Sequence, residues 1–180
     1  MTISSSCVAV FSPDLGDRVS IFDALESLLS LNYSVNRLSV LGKGTLKDGD
    51  NAIGVYKSLN QIRFKGEQDE FWQGVWELLA GEAFLHIPTF GSLAVAGGLS
   101  SILMAENGAI FYPHEYTELG RALHRIGIPA RSICHYESLL KQGQLMLIVN
   151  GDISDVENAC LIIENSKSSH EVSLHFVNTS

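Results

Sequence analysis

Residues 83–105 read AFLHIPTFGSLAVAGGLSSILMA, twenty-three positions between Glu82 and Glu106 whose only ionisable side chain is His86. Whether this stretch is a membrane span or part of a globular core decides the fold. A spanning helix needs about twenty mostly apolar residues, so the length criterion is met. The content argues the other way. From Ile87 to Ala105 only eight of nineteen residues are large and apolar, and the rest are three Gly, three Ala, three Ser, one Thr and one Pro. The nearest basic residues are Lys65 and Arg121, so the charges that anchor and orient a span are missing. The expectation is a buried helix. Ala94 and Gly98, like Gly97 and Ser101, are four apart, share a helical face and admit a second backbone closely. A helix apolar all round has to be covered on several sides, by the rest of the chain or by a second subunit.

Outward from this segment, both ends of the chain read as β-α-β units. Cys7 to Phe11 (CVAVF) is an apolar run closed by Ser12-Pro13-Asp14, as expected of a buried strand. Ile21, Phe22, Leu25, Leu28 and Leu29 then form one helical face, with Asp14 or Asp17 as its cap. Tyr33 to Leu41 reads as the second strand, ended by Gly42-Lys43-Gly44. Near the other end, Leu145 to Val149 (LMLIV) reads as a strand before Asn150-Gly151. Ser154-Asp155-Val156-Glu157 has the spacing of a capping box, and Val156, Ala159, Cys160 and Ile163 follow as a buried stripe. Glu171 to Val177 alternates, with Val172, Leu174 and Phe176 on one face and Ser173 and His175 on the other.

Two such units sum to βαββαβ, so the expected class is α+β. It is a ferredoxin-like, four-stranded antiparallel sheet with one face under two helices. Residues 1–60 and 143–180 would form that domain, and residues 61–142 a helical, Gly-rich insertion between the halves. Within the insertion, Phe71, Trp72, Val75, Trp76, Leu78 and Leu79 mark one helix. Leu119, Ala122, Leu123 and Ile126 mark another, stopped by Gly127 and Pro129. Tyr136, Leu139 and Leu140 mark a third, ending at Gly143.

Twelve Lys plus Arg against twenty Asp plus Glu give a net charge of −8, and charged residues are 18% of the 180. Globular chains carry about a quarter, and a chain with 46% hydrophobic residues is not intrinsically disordered. The acidic surplus and the lack of Lys/Arg clusters argue against nucleic acid and anionic membranes as partners. Three widely spaced cysteines, Cys7, Cys134 and Cys160, read as reduced and mostly buried thiols of a cytoplasmic protein. The N-terminal MTISSSCVAVF lacks the charged region of a secretory signal.

No segment carries an unambiguous reaction signature. Gly42-Lys43-Gly44-Thr45 lacks the full phosphate-loop spacing and reads as a plain loop. Cys134 and His135 are adjacent, so on a helix they point about 100° apart, and a buried Cys beside a surface His is expected. The six histidines show no metal-ligand spacing. His86, alone in the apolar segment, is expected to bond a carbonyl at a helix end. Tyr112-Pro113-His114-Glu115-Tyr116 is the densest polar aromatic cluster, readable as a pocket wall or as a helix start.

Phe71-Trp72-Gln73-Gly74, Leu78-Leu79-Ala80-Gly81, Ile87-Pro88-Thr89-Phe90-Gly91, Ala96-Gly97-Gly98, Leu123 through Gly127-Ile128-Pro129, Tyr136-Glu137 and Gly143-Gln144-Leu145 occur in this order along most of the chain. In this succession the chain resembles a bacterial family of uncharacterised, general-stress-associated proteins, often labelled predicted membrane proteins. The resemblance implies ferredoxin-like halves around a Gly-rich centre, and it supplies no catalytic residues.

The expected function is therefore non-enzymatic: a stress-associated protein acting through self-association, a dimer being favoured, or through another partner. A second expectation, from a different class, is a small-molecule sensor with a pocket between sheet and insertion. The region for either interface or ligand comprises His86, Pro88, Gly91, Ala94, Gly97, Gly98, Tyr112, His114 and Tyr116. An enzyme using Cys134 or a His/Glu pair is the third and least favoured. No cofactor, metal or nucleic acid is expected. The location is cytoplasmic, with a peripheral membrane location as the alternative.

Overall fold

The computed structural model describes residues 6–46, 62–79, 81–87, 90–107, 116–166 and 172–176. Strand β1 (Ser6–Phe11) is the CVAVF run, buried from Cys7 onward. Helix α1 (Arg18–Ser30) is capped by Asp17, whose carboxylate accepts the Ser20 N–H at 3.0 Å and the Ser20 hydroxyl at 2.5 Å. It ends where Asn32 turns left-handed at φ 61° and the Tyr33 N–H reaches back to the Leu28 carbonyl. Strand β2 (Leu38–Lys43) starts later than expected, after a 3-10 turn at Val35–Arg37, and takes in Gly42 and Lys43. Helix α2 (Glu67–Leu78) follows, with acidic residues Glu67, Asp69 and Glu70 in its first turn complementing the dipole.

The Gly-rich segment does not form the expected buried helix. It folds as strand β3 (Glu82–Ile87), strand β4 (Gly91–Gly97) and the shorter helix α3 (Leu99–Asn107). Strands β3 and β4 pair antiparallel from Glu82↔Ala96 to Ile87↔Gly91, and the Phe90 N–H bonds the Ile87 carbonyl across the turn. A continuous apolar run is compatible with either a buried helix or a strand buried on both faces, which is why periodicity misled here. The small residues do admit a backbone closely, but the backbone is that of β2 and of the 3-10 turn before it. Gly97 sits at φ +90°, and a Cβ there would lie 2.0 Å from the Leu38 carbonyl oxygen. A Cβ on Gly98 would lie 2.3 Å from the Asn36 carbonyl oxygen. Among the described residues no helix is long and apolar enough to cross a membrane.

Helices α4 (Glu118–Arg125) and α5 (Ala130–Lys141) occupy the expected positions, and the Thr117 hydroxyl caps α4 by accepting the Gly120 N–H. Strand β5 (Met146–Asp152) runs straight through Asn150 and Gly151. Helix α6 (Ile153–Asn165) therefore begins earlier than the capping-box spacing implied, and that box does not form. The N-cap is Asp152, whose side chain makes no capping hydrogen bond to the helix, Ser154 falls within the first turn, and the Asp155 carboxylate accepts from Arg37 Nη1 at 2.9 Å. Strand β6 (Val172–Phe176) closes the described chain.

The result is a mixed α+β structure with one six-stranded antiparallel sheet and six α-helices among the described residues, in strand order β3-β4-β2-β5-β1-β6. Alternation sends Cys7, Ala9 and Phe11 to one face and Val8 and Val10 to the other, and both faces are covered. The first core holds the buried stripes of α1, α2 and α6; the second holds those of α3, α4 and α5. The expected four-stranded sheet with one covered face is thus corrected to six strands between two helical layers. Two-sided burial is also why CVAVF and LMLIV lack polar alternation.

Candidate functional site

The residues singled out from the sequence do not converge. His86 lies on β3, exposed and paired in register with Ser92, instead of at a helix end. Gly91 opens β4, Ala94 is buried within it, and Gly97 and Gly98 provide the close approach to β2 and the turn before it. Tyr116 stacks on His124 with ring centroids 6.1 Å apart and planes 16° from parallel. Pro88, Tyr112 and His114 lie outside the described residues.

A cleft forms elsewhere, from residues no single sequence stretch contains. It has a volume of about 210 Å³ and lies where the loop after β1 enters α1, where β2 ends, and where α5 gives way to β5. Gly16 and Arg18 come from the start of α1, Lys43 and Thr45 from the end of β2, and Gln68 and Trp72 from α2. Lys141, Gln142 and Gly143 come from the end of α5, and Leu145 from the approach to β5. Segments from both ends of the chain therefore meet α2 and α5 there.

The floor is apolar and depends on Gly42. A Cβ at that position would lie 2.4 Å from Leu145 Cδ2 and 3.1 Å from Trp72 Cζ2, so the glycine lets these two buried side chains close beneath the cleft. Trp72 is held by edge-to-face packing on Phe71 at 5.1 Å and by Phe64 at 6.3 Å. Above the floor stand Arg18, half-buried, with Lys43 and Lys141, exposed. Arg18 Nη1 lies 3.7 Å from Glu67 Oε2, whose side chain is 92% exposed. Such a pair is worth at most about 1 kcal/mol and yields readily to a better partner. Among the described residues no carboxylate lies within 4.0 Å of the Lys43 or Lys141 ammonium groups. Three of the twelve basic residues of an acidic chain thus line one small cleft.

A second, larger cleft of about 430 Å³ lies at the opposite end of β2, between the end of α1 and the start of α6. Its charged groups, Arg37 and Asp155, already neutralise each other at 2.9 Å. Burial, followed by the Asp155 charge, pushes the Tyr33 phenol up to about 12, so it stays a neutral hydroxyl. Among the described residues lining it, this cleft has no unpaired charge to offer a ligand.

The thiols divide differently from expectation. Cys7 and Cys160 are buried, but Cys134 is exposed, because it lies on the outer side of α5 between the buried Ile133 and Tyr136. Its neighbour His135 is exposed too and makes its ring contact with Tyr136, at 5.6 Å. Burial raises the Cys7 thiol, and burial aided by the nearby Cys7 lifts Cys160 to about 11, so neither is a ready thiolate. Among the described residues no three His, Cys, Asp or Glu side chains are grouped to hold a metal.

Arg18, Lys43, Gln68, Lys141 and Gln142 were not anticipated as a group. Only Lys43 had a signal, as the lysine of Gly42-Lys43-Gly44-Thr45, and the missing phosphate-loop spacing argued it away. Comparison of the chain with protein-family models, with curated proteins and with solved structures gives no match.

Proposed function

We propose that this protein binds a small anionic molecule in the cleft between its sheet and its inserted segment, and works as a sensor or binding protein, not as an enzyme. The observation that carries the reading is the meeting of Arg18, Lys43 and Lys141 over the Trp72–Leu145 floor in a chain of net charge −8. An acidic protein repels anions at long range, so a local concentration of positive side chains marks where one is stabilised. Because the cleft is built from both halves and from α2 and α5, an anion there would tie the insertion to the frame. That is the mechanical requirement for a sensor.

The frame fits a ferredoxin-like arrangement. The β1-α1-β2 and β5-α6-β6 units interleave in the order β6-β1-β5-β2, and the insertion adds β4 and β3 beyond β2. The unpaired Cys7, Cys134 and Cys160 support a reducing, cytoplasmic setting. In the stress-associated role implied by the sequence resemblance, the anion would be the signal.

Native mass spectrometry of the freshly purified protein, followed by thermal shift against a set of small anions, tests the reading. A retained anion, or a rise in Tm that Lys43→Glu with Lys141→Glu abolishes, supports it; no anion retained and no rise with any member of the set overturns it.

Self-association is a second reading, favoured by β6. This strand ends the sheet beyond β1, and its Leu174 and Phe176 side chains are 39% and 55% exposed. An edge strand with apolar side chains is a ready template for pairing with another strand. A concentration-independent monomer mass by light scattering would dismiss it.

A further inference from the structure

We infer that the ligand of the Arg18–Lys43–Lys141 cleft is a compact dianion of the phosphate type; this rests on the anion-binding reading above and narrows it to one chemical class.

Charge is the first ground. Three cationic side chains line the cleft, and among the described residues the only carboxylate within 4.0 Å of their charged groups is that of Glu67, loosely paired with Arg18 from a solvent-exposed position. The described groups lining the cleft therefore carry a positive surplus, which a dianion offsets more fully than a monoanion.

Hydrogen-bonding capacity is the second. Lysine and arginine are donor-only groups, and one lone pair of Gln68 Oε1 already accepts the Thr45 N–H at 3.0 Å. Gln68 Nε2 adds a further donor. The lining thus calls for a ligand rich in acceptor oxygens, and a phosphate group presents three that accept strongly.

Size is the third. Sites for drug-sized molecules occupy about 300–1,000 Å³, and this cleft, at about 210 Å³, is smaller. Its floor is closed by Trp72 and Leu145, both buried. A small phosphorylated molecule fits such a volume, whereas a nucleotide would leave its base outside.

The test is isothermal titration of the full chain with methyl phosphate, sulfate, malonate and acetate at matched ionic strength, at pH 7.5 and 5.5. Methyl phosphate and sulfate are expected to bind, and acetate at least tenfold more weakly. A phosphate monoester takes up its second proton at about pH 6, so methyl phosphate should weaken several-fold at pH 5.5 while sulfate, a dianion at both, does not. Lys43→Gln and Lys141→Gln each remove an exposed cation and should weaken methyl phosphate about tenfold, with an unchanged urea midpoint showing that the fold persists.

Acetate binding as tightly as methyl phosphate overturns the dianion while leaving an anion site in place. Malonate binding tenfold more tightly than either tetrahedral anion overturns the phosphate type. Binding that neither lysine variant weakens lies elsewhere and overturns the assignment to this cleft. Absence of binding by all four probes overturns both this inference and the function on which it rests.

Discussion

The phenolic oxygen of Tyr136 on α5 and Nε2 of His175 on β6 lie 2.5 Å apart, and their rings meet edge-on at 83° with centroids 5.7 Å apart. This contact fastens the outermost strand to the second helical layer. Burial, and after it the nearby Arg131 charge, holds the His175 imidazole below its ordinary range, so the folded protein keeps it neutral. A histidine whose folded pKa is depressed contributes stability that is complete above the unfolded value, about 6.5, and is lost as pH falls through the folded one. Between pH 7.5 and 5.5 the wild type should therefore lose more of its urea midpoint than His175→Asn does. Equal losses in the two proteins would contradict the assignment.

Gly97 is predicted to be among the least replaceable positions. Alanine there meets two penalties: a left-handed φ of +90° and a Cβ placed 2.0 Å from the Leu38 carbonyl oxygen, which is backbone and cannot step aside. Strained left-handed residues cost about 1–3 kcal/mol before any clash is counted. Urea unfolding of Gly97→Ala should show a loss at or above the top of that range, or no folded protein. A loss under 0.5 kcal/mol would mean that β2 and β4 are not packed as described.

Trp76 Nε1 donates to the Val95 carbonyl oxygen at 3.1 Å in a fully buried setting, linking α2 to β4. Trp76→Phe keeps most of the apolar area and removes the donor. The expected destabilisation is about 1–3 kcal/mol, since a buried carbonyl loses a partner that water cannot replace. Equilibrium unfolding followed by circular dichroism measures it without relying on the altered fluorescence.

The thiols should separate cleanly by reactivity. Under native conditions a disulfide reagent at pH 8 should modify Cys134 rapidly, while Cys7 and Cys160 wait for unfolding, being buried and raised in pKa. One fast equivalent in the native state and three in urea are expected from the three cysteines. Cys134→Ser should abolish the fast phase alone.

Much of this was legible from local patterns. The stripes Ile21, Leu25, Leu28 and Val156, Ala159, Cys160, Ile163 lie buried as their 3.6-residue spacing requires. Helices α4 and α5 end where Gly127 and Gly143 indicated, through the Ile128 N–H to the Leu123 carbonyl and the Gln144 N–H to the Leu139 carbonyl. These features arise within a turn or two of chain, where sterics and hydrogen bonding act on neighbours. Residues 82–97 were not legible in this way, because a strand covered on both faces loses its alternation and looks like a buried helix.

The acidic balance, the helical stripes, the turn glycines and the lack of a contiguous reaction motif were all properties of the amino-acid sequence by itself. Only tertiary structure decided that β3 and β4 join the sheet beside β2, that both faces of the sheet are covered, and that Cys134 faces outward. It alone brings Lys43 within one small cleft with Arg18, twenty-five residues before it, and Lys141, ninety-eight residues after it. The reason is physical. Helix and turn formation is governed by interactions between near neighbours, whereas strand pairing and the convergence of like charges depend on how distant segments pack. No local spacing in the sequence records that packing.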